Sequence, residues 1–177
     1  MGKPSIPEKV KLFTGIITRE EHVNSLNTIL KPLGEIEDLS PILEFDEFSQ
    51  YYSKEMGSGL KRLWVSFRGT IDPESIVDLK LISNEIEHKY SVEGKRTINI
   101  DPGYVSLTNL VLVTTKNYSH RIYLGKGIYG EVTLIYRKKE GFVPLQWTYP
   151  DYRTPVALDF FNKVRTKLFE ELRYRTA

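Results

Sequence analysis

The spacing of apolar positions divides the chain into two differently patterned halves. "KVKLFTGII" (9–17) is apolar on both of its alternating faces, which suits a central strand. Thr18 and Glu21 then have the spacing of a capping box. Val23, Leu26, Leu30 and Leu33 recur at helical intervals, and Pro32 and Gly34 end that helix. "SPILEF" (40–45) predicts a short strand, inside an acidic segment from Glu35 to Glu47 that reads as a solvated loop and strand edge. "LKRLWVSF" (60–67) predicts a longer strand with Leu63, Val65 and Phe67 on one side. Asp72-Pro73 supplies a helix cap and a first-turn proline, and Ile76, Leu79, Ile82, Ile86 and Tyr90 mark the apolar face that follows. "RTINID" (96–101) is a fourth strand, closed by a turn at Asp101-Pro102-Gly103. Strand, helix, strand, strand, helix, strand is the order of a ferredoxin-like split β-α-β unit.

Beyond it, "LVLVTTK" (110–116), "SHRIYL" (119–124), "IYGEVTLIYRK" (128–138) and "FVPLQW" (142–147) read as successive strands of an antiparallel meander. Thr154-Pro155 opens a closing helix with Leu158, Phe161, Val164, Leu168 and Leu172 on one stripe. The expected fold is therefore α+β, a ferredoxin-like split β-α-β unit extended by an antiparallel β-meander and a C-terminal helix. It is expected as a single domain over 1–177, with 9–101 as the ferredoxin-like core and 107–177 as the meander and closing helix.

"LGKGIYGEV" (124–132) satisfies Gly-x-Gly-x-x-Gly-x-Val. A dinucleotide fingerprint needs a helix after those glycines, and "EVTLIYR" is instead strand-like. A kinase loop joins two strands, but its lysine strand, catalytic loop and Asp-Phe-Gly are missing. A hairpin turning at Gly125-Lys126-Gly127 explains the glycines instead. It pairs Leu124 with Ile128, Tyr123 with Tyr129, Ile122 with Gly130 and Arg121 with Glu131, and so predicts an Arg121–Glu131 cross-strand ion pair. His120 falls on the apolar face of that register.

Composition narrows the chemistry. Without cysteine there are no disulfides, thiolate metal sites or cysteine nucleophiles. Only His22, His88 and His120 offer imidazole, so zinc is not expected. A net charge of +2 gives no sign of a dedicated polyanion binder, and nucleic acid is not the expected partner. The amino terminus has no apolar signal region and the apolar runs are too short for a bilayer, which points to a cytoplasmic protein with no membrane segment.

Polar residues gather around the predicted hairpin. If "IDPGY" (100–104) and "WTYPDYR" (147–153) converge on it, Asp101, Glu131 and Asp151 would hold a divalent cation such as Mg2+. Lys116, Arg121 and Arg153 would grip phosphate or carboxylate, and Tyr104, Tyr129, Tyr149 and Tyr152 would stack on a base or sugar. His120 and Glu131 are the candidate catalytic acid–base groups. Each has a structural alternative: Arg121 with Glu131 as a plain ion pair, Asp101 as a turn cap, His120 as a core histidine, the tyrosines as packing.

The combination "DPGYVSLTNLVLVTTKNYSHRIYLGKGIYGEVTLIYR…WTYPDYRTP", with "EFDEFSQYYSKEMG" and "IDPESIVDLKLISNEIE" before it, resembles an uncharacterised prokaryotic family, domain of unknown function 4416. The resemblance covers nearly the whole chain. It implies a shared signature of Asp101, Tyr104, Thr115, Lys116, Ser119, His120, Arg121, Tyr129, Glu131, Trp147, Tyr149, Asp151 and Tyr152. Some members are labelled GTP-binding, although this chain lacks a Walker loop and the Asn-Lys-x-Asp guanine reader. The leading expectation is a binding protein for a nucleotide-like or other phosphorylated small molecule. A metal-assisted phosphoester hydrolase using Asp101, Glu131 and Asp151 and an RNA-binding accessory protein are the alternatives.

Overall fold

β1 (Lys11–Thr18) is buried along its whole length, as apolar residues on both of its faces require. In the computed structural model, which describes residues 2–175, it lies inside one nine-stranded sheet. Short helices α1 (Glu20–Val23) and α2 (Leu26–Ile29) follow, then β2 (Ile36–Leu39), β3 (Leu43–Glu44), α3 (Ser53–Met56) and β4 (Lys61–Phe67). Helix α4 (Ile76–Lys89) precedes β5 (Ile98–Val105) and β6 (Asn109–Thr114). The hairpin β7 (Ile122–Gly125) and β8 (Ile128–Arg137), then β9 (Gly141–Pro144) and α5 (Pro155–Arg175), complete the chain. The strand order is β2-β4-β1-β5-β6-β8-β7, with β3 also on β4 and β9 on β8. Every pairing is antiparallel. The fold is thus α+β, with an open antiparallel sheet and a C-terminal helix. Among the described residues no helix is long and apolar enough to cross a membrane.

Period-2 alternation builds two cores. Leu12 and Ile16 of β1, with Leu63, Val65 and Ile100, pack against α2 and α4. Phe13 and Trp64, with Leu110 and Leu134, pack against Phe160, Phe161 and Val164 of α5. The predicted stripe of α5 is therefore the one that seats it. Each fully buried side chain there contributes about 1.5–3 kcal/mol. Thr154 Oγ1 accepts the Ala157 N–H at 3.2 Å and caps the helix start.

Several local expectations are corrected. Thr18 stays in β1 and bonds the Thr97 carbonyl, leaving no capping box, and the predicted helix breaks into α1 and α2. The acidic segment does supply the edge strand β2, but Glu37 and Asp38 are shielded there rather than solvated. Asp38 is held by Lys163 at 2.6 Å and by Lys167, and Glu37 by the fully buried Lys11 at 2.9 Å. Asp72 stands at the cap position ahead of Pro73 as expected, but its side chain pairs with Lys9 instead of bonding the helix N–H groups. Of the later strands, β7 with β8 and β8 with β9 pair successively as expected, but β6 lies against β8 instead of β7, so that β7 and β9 take the other edge of β8. The hairpin keeps Ile122 opposite Gly130 and Tyr123 opposite Tyr129, but Gly125 pairs Ile128 and Leu124 bulges out. Its turn is Lys126-Gly127, both at positive φ (49° and 77°), as a two-residue primed turn requires.

Nor does Asp101-Pro102-Gly103 form a turn, because β5 runs through it. What happens there is a fork. β5 and β6 share only the pairs Gly103–Leu112, Tyr104–Val111 and Val105–Leu110. Upstream, the outer edge of β5 is satisfied by side chains from α4: Ile100 N–H donates to Glu87 Oε1 (2.6 Å), and its carbonyl accepts from Lys80 Nζ (3.1 Å). Alternate residues of an antiparallel strand direct their backbone groups to the same side, so Pro102 offers this edge no N–H and β6 cannot continue the ladder. Gly103 stands at the crotch. A Cβ there would strike the Val111 carbonyl and lie 2.7 Å from the Phe13 ring.

Candidate functional site

Beyond the fork the sheet face is not covered by α5, and a cavity of about 500 Å³ opens there. Its floor follows from strand register. Ile17 lies between Arg62 and Asn99, Gly15 between Trp64 and Asp101, and Leu112 opposite Glu131. Alternation puts all of these on one face. The walls are the segment around Phe48, Tyr51 and Tyr52 and the Tyr149–Tyr152 stretch, and α4 contributes Lys80, Asn84 and Glu87 through the fork.

Arg62 is the deepest cation, 2% exposed. Its Nε stands 2.8 Å from Asp151 Oδ2, and its guanidinium lies 4.8 Å from the Trp64 ring centre and 5.0 Å from that of Tyr152. Its Nη1 and the Tyr152 hydroxyl are buried with no hydrogen-bond partner among the described residues. This packing depends on Gly15, where a Cβ would sit 2.7 Å from the Tyr152 hydroxyl and 2.8 Å from Nη1.

The remaining charges are matched in pairs. Lys80 lies 3.4 Å from Asp101, which also accepts from Asn99 at 2.7 Å. Burial alone would push the Asp101 carboxyl up, but the Lys80 and Arg62 charges outweigh it and hold the group below the usual range. Burial does raise Glu87, against the pull of Lys80. Arg96 grips Glu55 through Nε and Nη2 (2.8 and 2.7 Å) and reaches Asn99 at 2.7 Å.

The expected Arg121–Glu131 pair is present, Nε to Oε2 at 2.7 Å, with side-chain exposures of 5% and 1%. Arg121 also donates to the Lys116 carbonyl (3.0 Å) and the Tyr149 hydroxyl (2.9 Å), and Lys116 Nζ donates to the Tyr51 hydroxyl (2.9 Å). These contacts form a chain along the cavity mouth, where Tyr149 is 47% and Tyr51 63% exposed.

Of the residues expected to form a site, Asp101, Lys116, Arg121, Glu131, Tyr149, Asp151 and Tyr152 line this one cavity. Four do not. Tyr104 packs against the α4-side core. Tyr129 meets the Tyr123 ring 5.3 Å away. Arg153 is spent on the carbonyls of Leu145, Gln146 and Thr148. His120 sits behind the cavity wall rather than on an apolar face: a ring nitrogen lies 3.2 Å from Glu131 Oε2, and the ring stacks on Trp147 at 5.4 Å. Asp101, Glu131 and Asp151 share the cavity, but each is taken by its own cation. Among the described residues no group of three or more histidines or acids is arranged to hold a metal ion.

Sequence reasoning passed over Arg62, Lys80, Glu87 and Arg96. A signal existed for the first three. Arg62 alternates with Trp64 and Ser66 on the side of its strand opposite Leu63, Val65 and Phe67. Ile76, Lys80, Ser83 and Glu87 form a second helical stripe, buried beside Ile86 of the apolar one.

No curated protein and no solved structure matches the chain. A family model does, over residues 8–168, and the chain therefore belongs to the family described as Domain of unknown function (DUF4416).

Proposed function

We propose that this protein binds a small phosphorylated, nucleotide-like molecule in the cavity at the fork. The observation that carries the reading is Arg62, a nearly fully buried guanidinium that lines the cavity and whose Nη1, beside the Asp151 pair, has no hydrogen-bond partner among the described residues. An unsatisfied buried donor costs about 1–3 kcal/mol, and an anionic oxygen is the acceptor that relieves the cost best. The volume suits a small organic ligand, and exposed Tyr51 and Tyr149 give the mouth flat surfaces for a ring. No guanine-reading motif is present to specify the base. With each carboxylate already paired, the geometry favours binding over metal-assisted hydrolysis. The β2-β4-β1-β5 order supports a ferredoxin-like reading of the first four long elements of the sheet, and the continuous sheet supports a single domain.

A thermal-shift panel of nucleotides and phosphorylated metabolites, with and without Mg2+, tests the proposal. A ligand at a hundredfold its Kd stabilises by about 2.7 kcal/mol, worth roughly 5–11 °C in a chain of this size. The idea fails if no compound shifts the wild type more than the Arg121→Ala/Glu131→Ala variant.

A further inference from the structure

Resting on that reading, we infer that the ligand carries one phosphate group, as a nucleoside monophosphate does, bound phosphate-first against Arg62 without a metal ion. Exposure gives the orientation. Arg62, Tyr152 and Asp151 at the closed end are each at most 5% exposed, whereas Tyr51 and Tyr149 at the mouth are about half exposed or more. The closed end also holds the free donors, Arg62 Nη1 and the Tyr152 hydroxyl. Lys80, the other deep cation, is already committed to the Ile100 carbonyl and Asp101. The charged head therefore enters first and the ring stays at the mouth.

Charge matching sets the number of phosphates. Five cationic and four acidic side chains line the cavity, and Glu55 holds Arg96 from outside the lining. Cations and acids therefore balance. A single phosphate supplies the acceptor that Arg62 Nη1, buried and without a hydrogen-bond partner among the described residues, lacks. A triphosphate brings several further charges into a closed end whose cations, Arg62 and Lys80, already face Asp151 and Asp101. Lys116, which donates to the Tyr51 hydroxyl rather than to a carboxylate, lies at the mouth, and desolvating unpaired charge is costly. A metal ion would offset them, but no group of acids among the described residues is arranged to hold one.

Isothermal titration calorimetry with nucleoside mono-, di- and triphosphates, each in EDTA and in Mg2+, and with inorganic phosphate, tests this. The expected result is a monophosphate Kd at least tenfold below that of the matching triphosphate and unchanged by EDTA. Gly15→Ala places a methyl group against Arg62 Nη1 and the Tyr152 hydroxyl, and should weaken the monophosphate at least tenfold while circular dichroism shows a folded protein. Arg62→Lys keeps the charge but loses the fork, and should weaken it similarly should Gly15→Ala misfold. Triphosphate binding as tight as monophosphate, a requirement for Mg2+, or unaltered affinity in folded Gly15→Ala would each overturn the inference and leave a binding function standing. Binding by no compound at all would remove the underlying reading as well.

Discussion

Removing the Glu131 carboxylate should destabilise the protein far more than removing the carboxylate together with its arginine. Glu131 accepts from Arg121 Nε (2.7 Å), approaches a His120 ring nitrogen (3.2 Å) and accepts from Thr133 Oγ1 (3.2 Å), with its side chain 1% exposed. Glu131→Ala strands the Arg121 guanidinium, itself 5% exposed. Breaking one partner of a buried pair costs about 3–5 kcal/mol. Arg121 borders a water-accessible cavity, so the lower end applies, about 3 kcal/mol, to which the lost Thr133 hydroxyl bond adds about 1 kcal/mol. A loss near 4 kcal/mol corresponds to a Tm drop of roughly 8–16 °C. Arg121→Met/Glu131→Leu removes both charges with apolar groups of similar length, and should recover all but about 1–2 kcal/mol. Urea unfolding of the wild type, Arg121→Met, Glu131→Leu and the double variant gives the coupling energy directly. A coupling below about 1 kcal/mol, the range of exposed pairs, would refute the claim that this pair is a buried support of the hairpin.

Gly103→Ala drives a methyl group into the Val111 carbonyl, which no rotamer change relieves, so a loss of about 3 kcal/mol is expected in urea unfolding; near-neutral behaviour would show that the crotch is looser than described. Glu87 has its folded pKa raised by burial, so its stabilising share is full below the unfolded value of about 4.3 and is lost as pH rises through the folded value. Glu87→Gln keeps a carbonyl for the Ile100 N–H and cannot ionise, so its melting temperature relative to wild type should climb with pH; a flat or falling difference would contradict the burial argument. Lys126 sits at φ 49° beside Gly127 in the two-residue turn. Lys126→Asn should stabilise by about 0.5 kcal/mol, because the Asp78 pair it gives up is exposed on both sides and worth little; a loss of 1 kcal/mol would argue against the turn assignment.

What could be read in the sequence was whatever local period decides. β1, β4 and α5 follow from apolar spacing alone, and Arg121 opposite Glu131 follows from keeping the hairpin faces unmixed. What could not be read depended on partners far along the chain. β2 looks like a solvated acidic edge until Lys163 and Lys167, more than 120 residues later, arrive on α5. On α4, hydrophobicity selects Leu79 and Ile82, which do pack on the core, but it passes over Lys80 and Glu87, which turn inward because Ile100 needs a donor and an acceptor where its neighbouring strand has left. Asp101-Pro102-Gly103 has turn composition, but its proline and glycine serve a split in the sheet and a close backbone approach instead. The cavity was legible only as a set of polar residues. Its deepest member, Arg62, was hidden inside a strand that reads as core.

The Ile100 amide is secured by a carboxylate on a helix rather than by an adjacent strand. Its proton should therefore exchange with deuterated solvent on the schedule of α4 lifting away, while the amides of Phe13 and Ile16 in the middle of the ladder wait for the whole sheet to come apart. A single backbone position in this protein thus keeps time for a helix to which it does not belong.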